Sequence, residues 1–299
     1  LLVALLASAL LIQRAKQRRA AARHATAVEL LGYVPAGPAL LVTADLSQLG
    51  PAAAVELLAA GGAALLGLRD LCGFEPLLAL RRVAFAMPYR DAQAQGAADF
   101  AFIADTSLEQ EAVLRCAEAV ILKRGGQPVR SRLGAFASVR DQAKPLGEVA
   151  IRADGLFVLS GGQYFRDVID ATGGVVTKDE AASIRSRVHA GIRRKLAPSQ
   201  LTLTLLPGAS LPLPGVQALG LGLSIERELG LRGFVGCSTA TGCAEVRSLI
   251  DDMKAEVAKD AAVSGLASVR VEQHEAQLDV TGRLPREQLG PLLTQLLAP

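Results

Sequence analysis

Four cysteines, three histidines and a few carboxylates are the residues of this 299-residue chain that could carry chemistry. Cys72, Cys116, Cys237 and Cys243 form an even set, two in each half of the chain. That arrangement predicts two disulfides, Cys72–Cys116 and Cys237–Cys243, in an exported protein. Four cysteines allow two other pairings, and the alternative is four reduced, buried thiols in a cytoplasmic protein. A metal site at Cys237 and Cys243 would need two more ligands, and His274 is the one further candidate. The run Cys237-Ser-Thr-Ala-Thr-Gly-Cys243 lacks the C-x-x-C spacing of a thiol–disulfide catalyst, although a helix N-terminus beside Cys243 would lower a thiol pKa.

The other chemical groups read as structural. The sequence has no G-x-S-x-G, Ser-x-x-Lys, H-E-x-x-H or Walker lysine loop. His24 lies near the amino terminus, while His189 and His274 read as surface or rim residues. Asp45 ends an apolar run just before a serine, which suits a turn or cap. Asp251 and Asp252 are adjacent in a helical stretch, so they point about 100° apart and do not form a close pair. Gly220-Leu-Gly222 begins like a dinucleotide loop, but Ile225 stands where the third glycine belongs. No cofactor, metal or catalytic set is expected, and an enzyme is the weaker reading.

The amino terminus reads differently. Leu1–Ile12 (LLVALLASALLI) is almost wholly apolar and is followed by Arg14, Lys16, Arg18, Arg19 and Arg23 with no acid between them. We read residues 1–24 as a membrane anchor, or the remnant of a signal anchor, with a basic flank suited to anionic lipid head groups; a buried or interfacial helix is the alternative. The formal charge of +3 belongs to this leader, because the rest of the chain carries 27 basic against 29 acidic residues. With only 4% aromatic residues as well, nucleic-acid binding is not expected. The basic flank alone would hold the body on the cytoplasmic face; the cysteines favour the periplasmic side of an inner membrane. The membrane is one expected partner and an envelope protein a second.

Apolar residues make up 51% of the chain and charged ones 20%, which calls for a folded core. Strands are expected at 39–45, 82–87, 98–104, 135–140, 148–152, 156–160, 201–206, 216–225, 231–237, 268–274 and 277–281. Helices are expected at 51–66, 68–80, 107–123, 163–171, 179–196, 241–259 and 286–297. Ser107 and Gln110 fit a capping box. Ile184, Val188, Ile192 and Leu196 suggest an apolar stripe on one helix, flanked by Arg185, Arg187, Arg193, Arg194 and Lys195 as a solvated face; contact with lipid head groups is the sharper alternative.

Three matches in the same order suggest a duplication: Phe102-Ile-Ala104 with Phe234-Val-Gly236, Ala137-Ser-Val-Arg140 with Ala267-Ser-Val-Arg270, and Leu159-Ser-Gly161 with Val280-Thr-Gly282. The expected fold is therefore α+β, with two similar lobes of antiparallel sheet at 34–175 and 179–299, side by side or sharing one sheet. Helices are expected on one face, and the apolar anchor helix precedes both lobes.

The segment Val34-Pro-Ala-Gly-Pro-Ala-Leu-Leu-Val-Thr-Ala-Asp-Leu-Ser-Gln-Leu49, followed by Leu71-Cys-Gly-Phe-Glu-Pro76, resembles uncharacterised membrane-anchored envelope proteins of myxobacteria and their relatives. Cys116 sits where those proteins often carry a second cysteine. The resemblance implies an exported, membrane-tethered protein and supplies no catalytic residues. Function is thus expected to be non-catalytic binding or assembly in the envelope. The alternatives are a carrier holding an apolar ligand between sheet and helices, or an enzyme whose site is assembled from scattered residues.

Overall fold

The computed structural model describes residues 30–48, 63–75, 77–88, 99–143, 147–171, 179–208, 215–225, 228–257, 265 and 268–285. Its strands are β1 (Pro38–Asp45), β2 (Leu80–Pro88), β3 (Phe100–Thr106), β4 (Pro128–Leu133), β5 (Phe136–Asp141), β6 (Glu148–Arg152), β7 (Leu156–Gly161), β8 (Leu201–Leu205), β9 (Val216–Ile225), β10 (Leu229–Cys237), β11 (Arg270–His274) and β12 (Gln277–Leu284). The helices are α1 (Ala63–Cys72), α2 (Gln110–Lys123), α3 (Gln163–Asp170), α4 (Glu180–Leu196) and α5 (Ala240–Val257). The leader, most of the helix expected at 51–66 and the helix expected at 286–297 lie outside the described residues. Among the described residues no helix is long and apolar enough to cross a membrane.

All strands join one 12-stranded sheet in the order β11-β12-β10-β9-β8-β1-β2-β3-β7-β6-β5-β4. Every neighbouring pair is antiparallel. The halves of the chain meet at the β1–β8 seam, where Thr43 and Thr202 stand opposite each other and their hydroxyls bond at 2.6 Å. Outward from the seam, β1-β2-β3-β7-β6 on one side is mirrored by β8-β9-β10-β12-β11 on the other. Two of the three sequence matches fall on corresponding strands, β3 with β10 and β7 with β12. The third does not. Residues 137–140 lie in β5, whereas β11 takes the place of β6, so a four-residue identity there reports composition rather than position.

Helices cover both faces of the sheet, not one. Successive side chains of a strand point to opposite faces. Ala150 and Val158 pack in the cluster that holds Val168 of α3, while their chain neighbours Ile151 and Phe157 pack against Val113, Leu114 and Ala117 of α2. By the same parity α3 and α4 share the first face, and α2 and α5 share the second. An antiparallel sheet with apolar residues at both parities has to be covered twice.

The apolar stripe on α4 is also corrected. Ile184 and Val188 are exposed, and the buried face is Ala182, His189, Ile192 and Leu196. Residues four apart advance by about 40° per step, so three such steps spread a stripe over about 120°. The alternating three- and four-residue spacing through 182, 185, 189, 192 and 196 stays on one side, and it is the side that docks. Glycines allow that close approach. A Cβ at Gly37, where φ is +63°, would lie 2.6 Å from the Ala182 Cα, and one at Gly220 would lie 2.3 Å from Ile192 Cγ2. Gly220 and Gly222 are thus floor residues beneath α4 and its C-terminal turn, not a nucleotide loop. The expected capping box is absent as well. Glu109 is the N-cap of α2, the Ser107 hydroxyl donates to the Ala79 carbonyl, and Gln110 Nε2 donates to the Ile151 carbonyl at 2.9 Å.

Candidate functional site

The two faces of the central strands differ sharply in how they are covered. On the α3/α4 face, Leu41, Ala84, Ala86, Ala101, Ile103 and Thr204 are 0–6% exposed. On the opposite face, Leu40, Val42, Phe85, Leu203, Leu205 and Leu221 are only half-buried. Strand alternation puts all six on one side, and the register aligns Val42 with Phe85 and Leu203, and Leu203 with Leu221. Phe85 stacks on Phe100 with ring centroids 6.3 Å apart. Among the described residues, α2 contacts β4–β6 and α5 contacts β10–β12. Phe157 of β7 also packs with the α2 cluster, and Val216 and Leu219 of β9 with the α5 cluster, so the four strands β8, β1, β2 and β3 separate the covered parts of this face, a span of about 20 Å at the usual strand spacing. These six side chains are apolar and offer dispersion and water exclusion to an apolar layer laid over them.

The α3/α4 face carries a polar anchor at the seam. His189 is 2% exposed, bonded through Nε2 to the Pro38 carbonyl at 2.7 Å and through Nδ1 to the Thr204 hydroxyl at 2.6 Å. This overturns its reading as a surface residue. The carbonyl can only accept, so Nε2 carries the proton, and in the neutral ring that burial favours Nδ1 accepts from the Thr204 hydroxyl. Arg193 donates to the hydroxyls of Thr43 and Thr202 at 2.5 and 3.0 Å, and burial pushes its pKa down. Arg185 donates to the Gly37 carbonyl at 3.1 Å, and Lys195 lies 4.4 Å from the Phe234 ring centroid. Three members of the expected solvated basic face thus hold α4 to the sheet, because a long side chain beside an apolar stripe can lie along the strands beneath it.

Burial pushes the His189 pKa below its ordinary value of 6.5, and the nearby Arg193 and Arg185 cations add to the effect, opposed by the bond to Pro38. The folded state therefore binds this proton less readily than the unfolded chain. Stability is expected to be level above about pH 6.5 and to fall as pH drops below it, toward the lower folded-state pKa. Urea midpoints between about pH 7.5 and 5.5 measure this, and a His189→Gln chain is expected to lose the slope.

The remaining sequence candidates have these places. Cys72–Cys116 and Cys237–Cys243 are disulfides, and no free cysteine stands among the described residues. They point to an oxidising, extracytoplasmic compartment. Asp45 holds the turn after β1, accepting from the Ser47 N–H at 3.1 Å and from Gln48 Nε2 at 2.8 Å. Asp251 sits between Arg247 and Lys254 at 3.8 and 3.7 Å on exposed α5. His274 is exposed on β11, 3.8 Å from Glu272. His24, Arg14, Lys16, Arg18, Arg19 and Arg23 lie outside the described residues. Reading by motif missed the apolar face altogether. Its signal was available in the leucines at alternate positions of Leu201–Leu205 and Leu219–Leu223, which each require a covering layer.

No protein-family model matches the chain, and no curated protein matches it. Among solved structures it is similar to TP0453 from Treponema, in its crystal form I, with a TM-score of 0.50 and 12% identity over 89% of this chain and 96% of that one. At that identity the likeness is one of fold.

Proposed function

We propose that the chain is a membrane-tethered, non-catalytic protein of a bacterial envelope that holds acyl chains on the sheet face between α2 and α5. The observation that carries this reading is the half-buried apolar expanse centred on the four strands β8, β1, β2 and β3 between those helices. The two disulfides support an extracytoplasmic body. The resemblance of Val34–Leu49 and Leu71–Pro76 to myxobacterial envelope proteins supports the same compartment. In this reading residues 1–24 are the tether, with Arg14, Lys16, Arg18, Arg19 and Arg23 at the anionic head groups of the inner membrane, and 34–175 and 179–299 are two lobes sharing the sheet.

A fluorescent fatty acid titrated into the oxidised protein tests this proposal. Saturable uptake is expected, weakened about tenfold by Leu203→Glu, which sets a carboxylate in the centre of the face. Leu205→Ala, a milder change that leaves the fold in place, is expected to weaken uptake about threefold. Leu249→Glu, on the exposed side of α5, is expected to leave it unchanged. Absence of saturable uptake by the unsubstituted protein, or equal uptake by all four chains, overturns the reading.

A further inference from the structure

On the α3/α4 side of the sheet, across it from the seam and beyond β9, the strands β10, β12 and β11 form the floor of an open cleft of about 710 Å³. It is lined by Arg232, Arg270 and Arg283 together with Ser224, Ser268 and Thr281, the Ser268 hydroxyl donating to the Gly265 carbonyl at 2.7 Å and keeping its lone pairs for accepting. The register explains the convergence. Arg232 and Arg270 lie on either side of Thr281 in one cross-strand row, and Arg283 follows two residues along β12 on the same face. Adjacent strands lie about 4.8 Å apart, so the outer two Cα atoms stand about 10 Å apart, within reach of two guanidinium groups closing on one ligand. Gly230 stands opposite Arg283 and Ser224 and keeps the floor low. Arg232 is steadied by donating to the Ala197 carbonyl at 2.9 Å.

No carboxylate lines this cleft among the described residues. On the same face Asp279 and Glu272 lie one row away at one end, and exposed Glu228 stands two residues before Gly230 at the other. Asp279 accepts from Gln277 Nε2 at 2.7 Å, and Glu272 faces His274. Three like charges gathered without a carboxylate among them repel one another, and an anion entering between them removes that cost. Guanidinium groups bind oxyanions through paired N–H donors. We infer that this cleft is a binding site for a multiply charged oxyanion, a phosphate-bearing group larger than a single phosphate. It lies on the opposite side of the sheet from the proposed acyl-binding face and does not depend on that reading.

Calorimetric titration of the oxidised protein with inorganic pyrophosphate at low salt tests the inference. Saturable binding is expected, weakening about tenfold for each of Arg270→Gln and Arg283→Gln, as befits the loss of charge-assisted hydrogen bonds. Both side chains belong to exposed residues, so the variants are expected to keep the melting temperature of the parent. Arg187→Gln, on the exposed side of α4, removes the same charge elsewhere and is expected to change nothing. No binding of pyrophosphate, or an equal loss in all three variants, overturns the site. Vesicles of phosphatidylcholine with and without phosphatidylglycerol identify the source. Capture by the anionic vesicles that pyrophosphate displaces assigns a lipid head group, and pyrophosphate binding without vesicle capture assigns a free phosphorylated ligand.

Discussion

Replacing Cys72 and Cys116 together by serine is expected to lower stability by about 4 kcal/mol, and replacing Cys237 and Cys243 by about 2.4 kcal/mol. The difference follows from the loops they close. The first bridge links residues 44 apart and the second residues 6 apart, so the first removes far more freedom from the unfolded chain. The consequences also differ in place. Among the described residues α1 makes its main helix contact with α2, and Cys72 at its end is tied to Cys116 on that helix. Cys237 and Cys243 instead join the end of β10 to the first turns of α5, inside a cluster with Val235 and Leu278. Urea midpoints of the two double variants, beside hydrogen exchange, provide the measurement. Amide protection is expected to fall in α1 for the first variant and at the start of α5 for the second. Equal losses from both variants would contradict the loop-length account.

Removing the Asp105 carboxylate with Asp105→Ala is expected to cost about 3–5 kcal/mol. Asp105 is 5% exposed at the end of β3 and lies 3.2 Å from Arg81 and 2.5 Å from Arg82. Arg82 stands directly opposite both Asp105 and Asp45 in the sheet register, and the Arg82 side chain is itself only 11% exposed. Without the carboxylate, a largely buried guanidinium loses its closest counter-charge, and its desolvation is no longer offset. A double-mutant cycle with Arg82→Met makes the prediction specific. The pair of substitutions is expected to cost less than the sum of the singles, since apolar groups can replace an ion pair once both charges are gone. Additive losses would show that the two side chains do not depend on each other.

Sequence alone determined the parts of this protein that depend on near neighbours. Alternation in Leu201–Leu205 and in 277–281 marks strands because a two-residue period is local, and the short apolar run at 98–104 marks a third. The two cysteine pairings could be chosen by keeping each bridge within its own half. Tertiary structure decided what depends on contacts between distant segments. Which face of the sheet a helix covers follows from strand parity at the place where the chain crosses over, and α2 and α3 went to opposite sides for that reason. The buried side of α4 was settled by the floor glycines and the Pro38 carbonyl that its residues meet, so His189 and Arg193 went inward while Ile184 and Val188 stayed out. Arg232, Arg270 and Arg283 are scattered in the sequence and became neighbours only because β12 pairs with both β10 and β11. Strand order is set by the summed burial of the whole sheet, and no window of the sequence contains that sum.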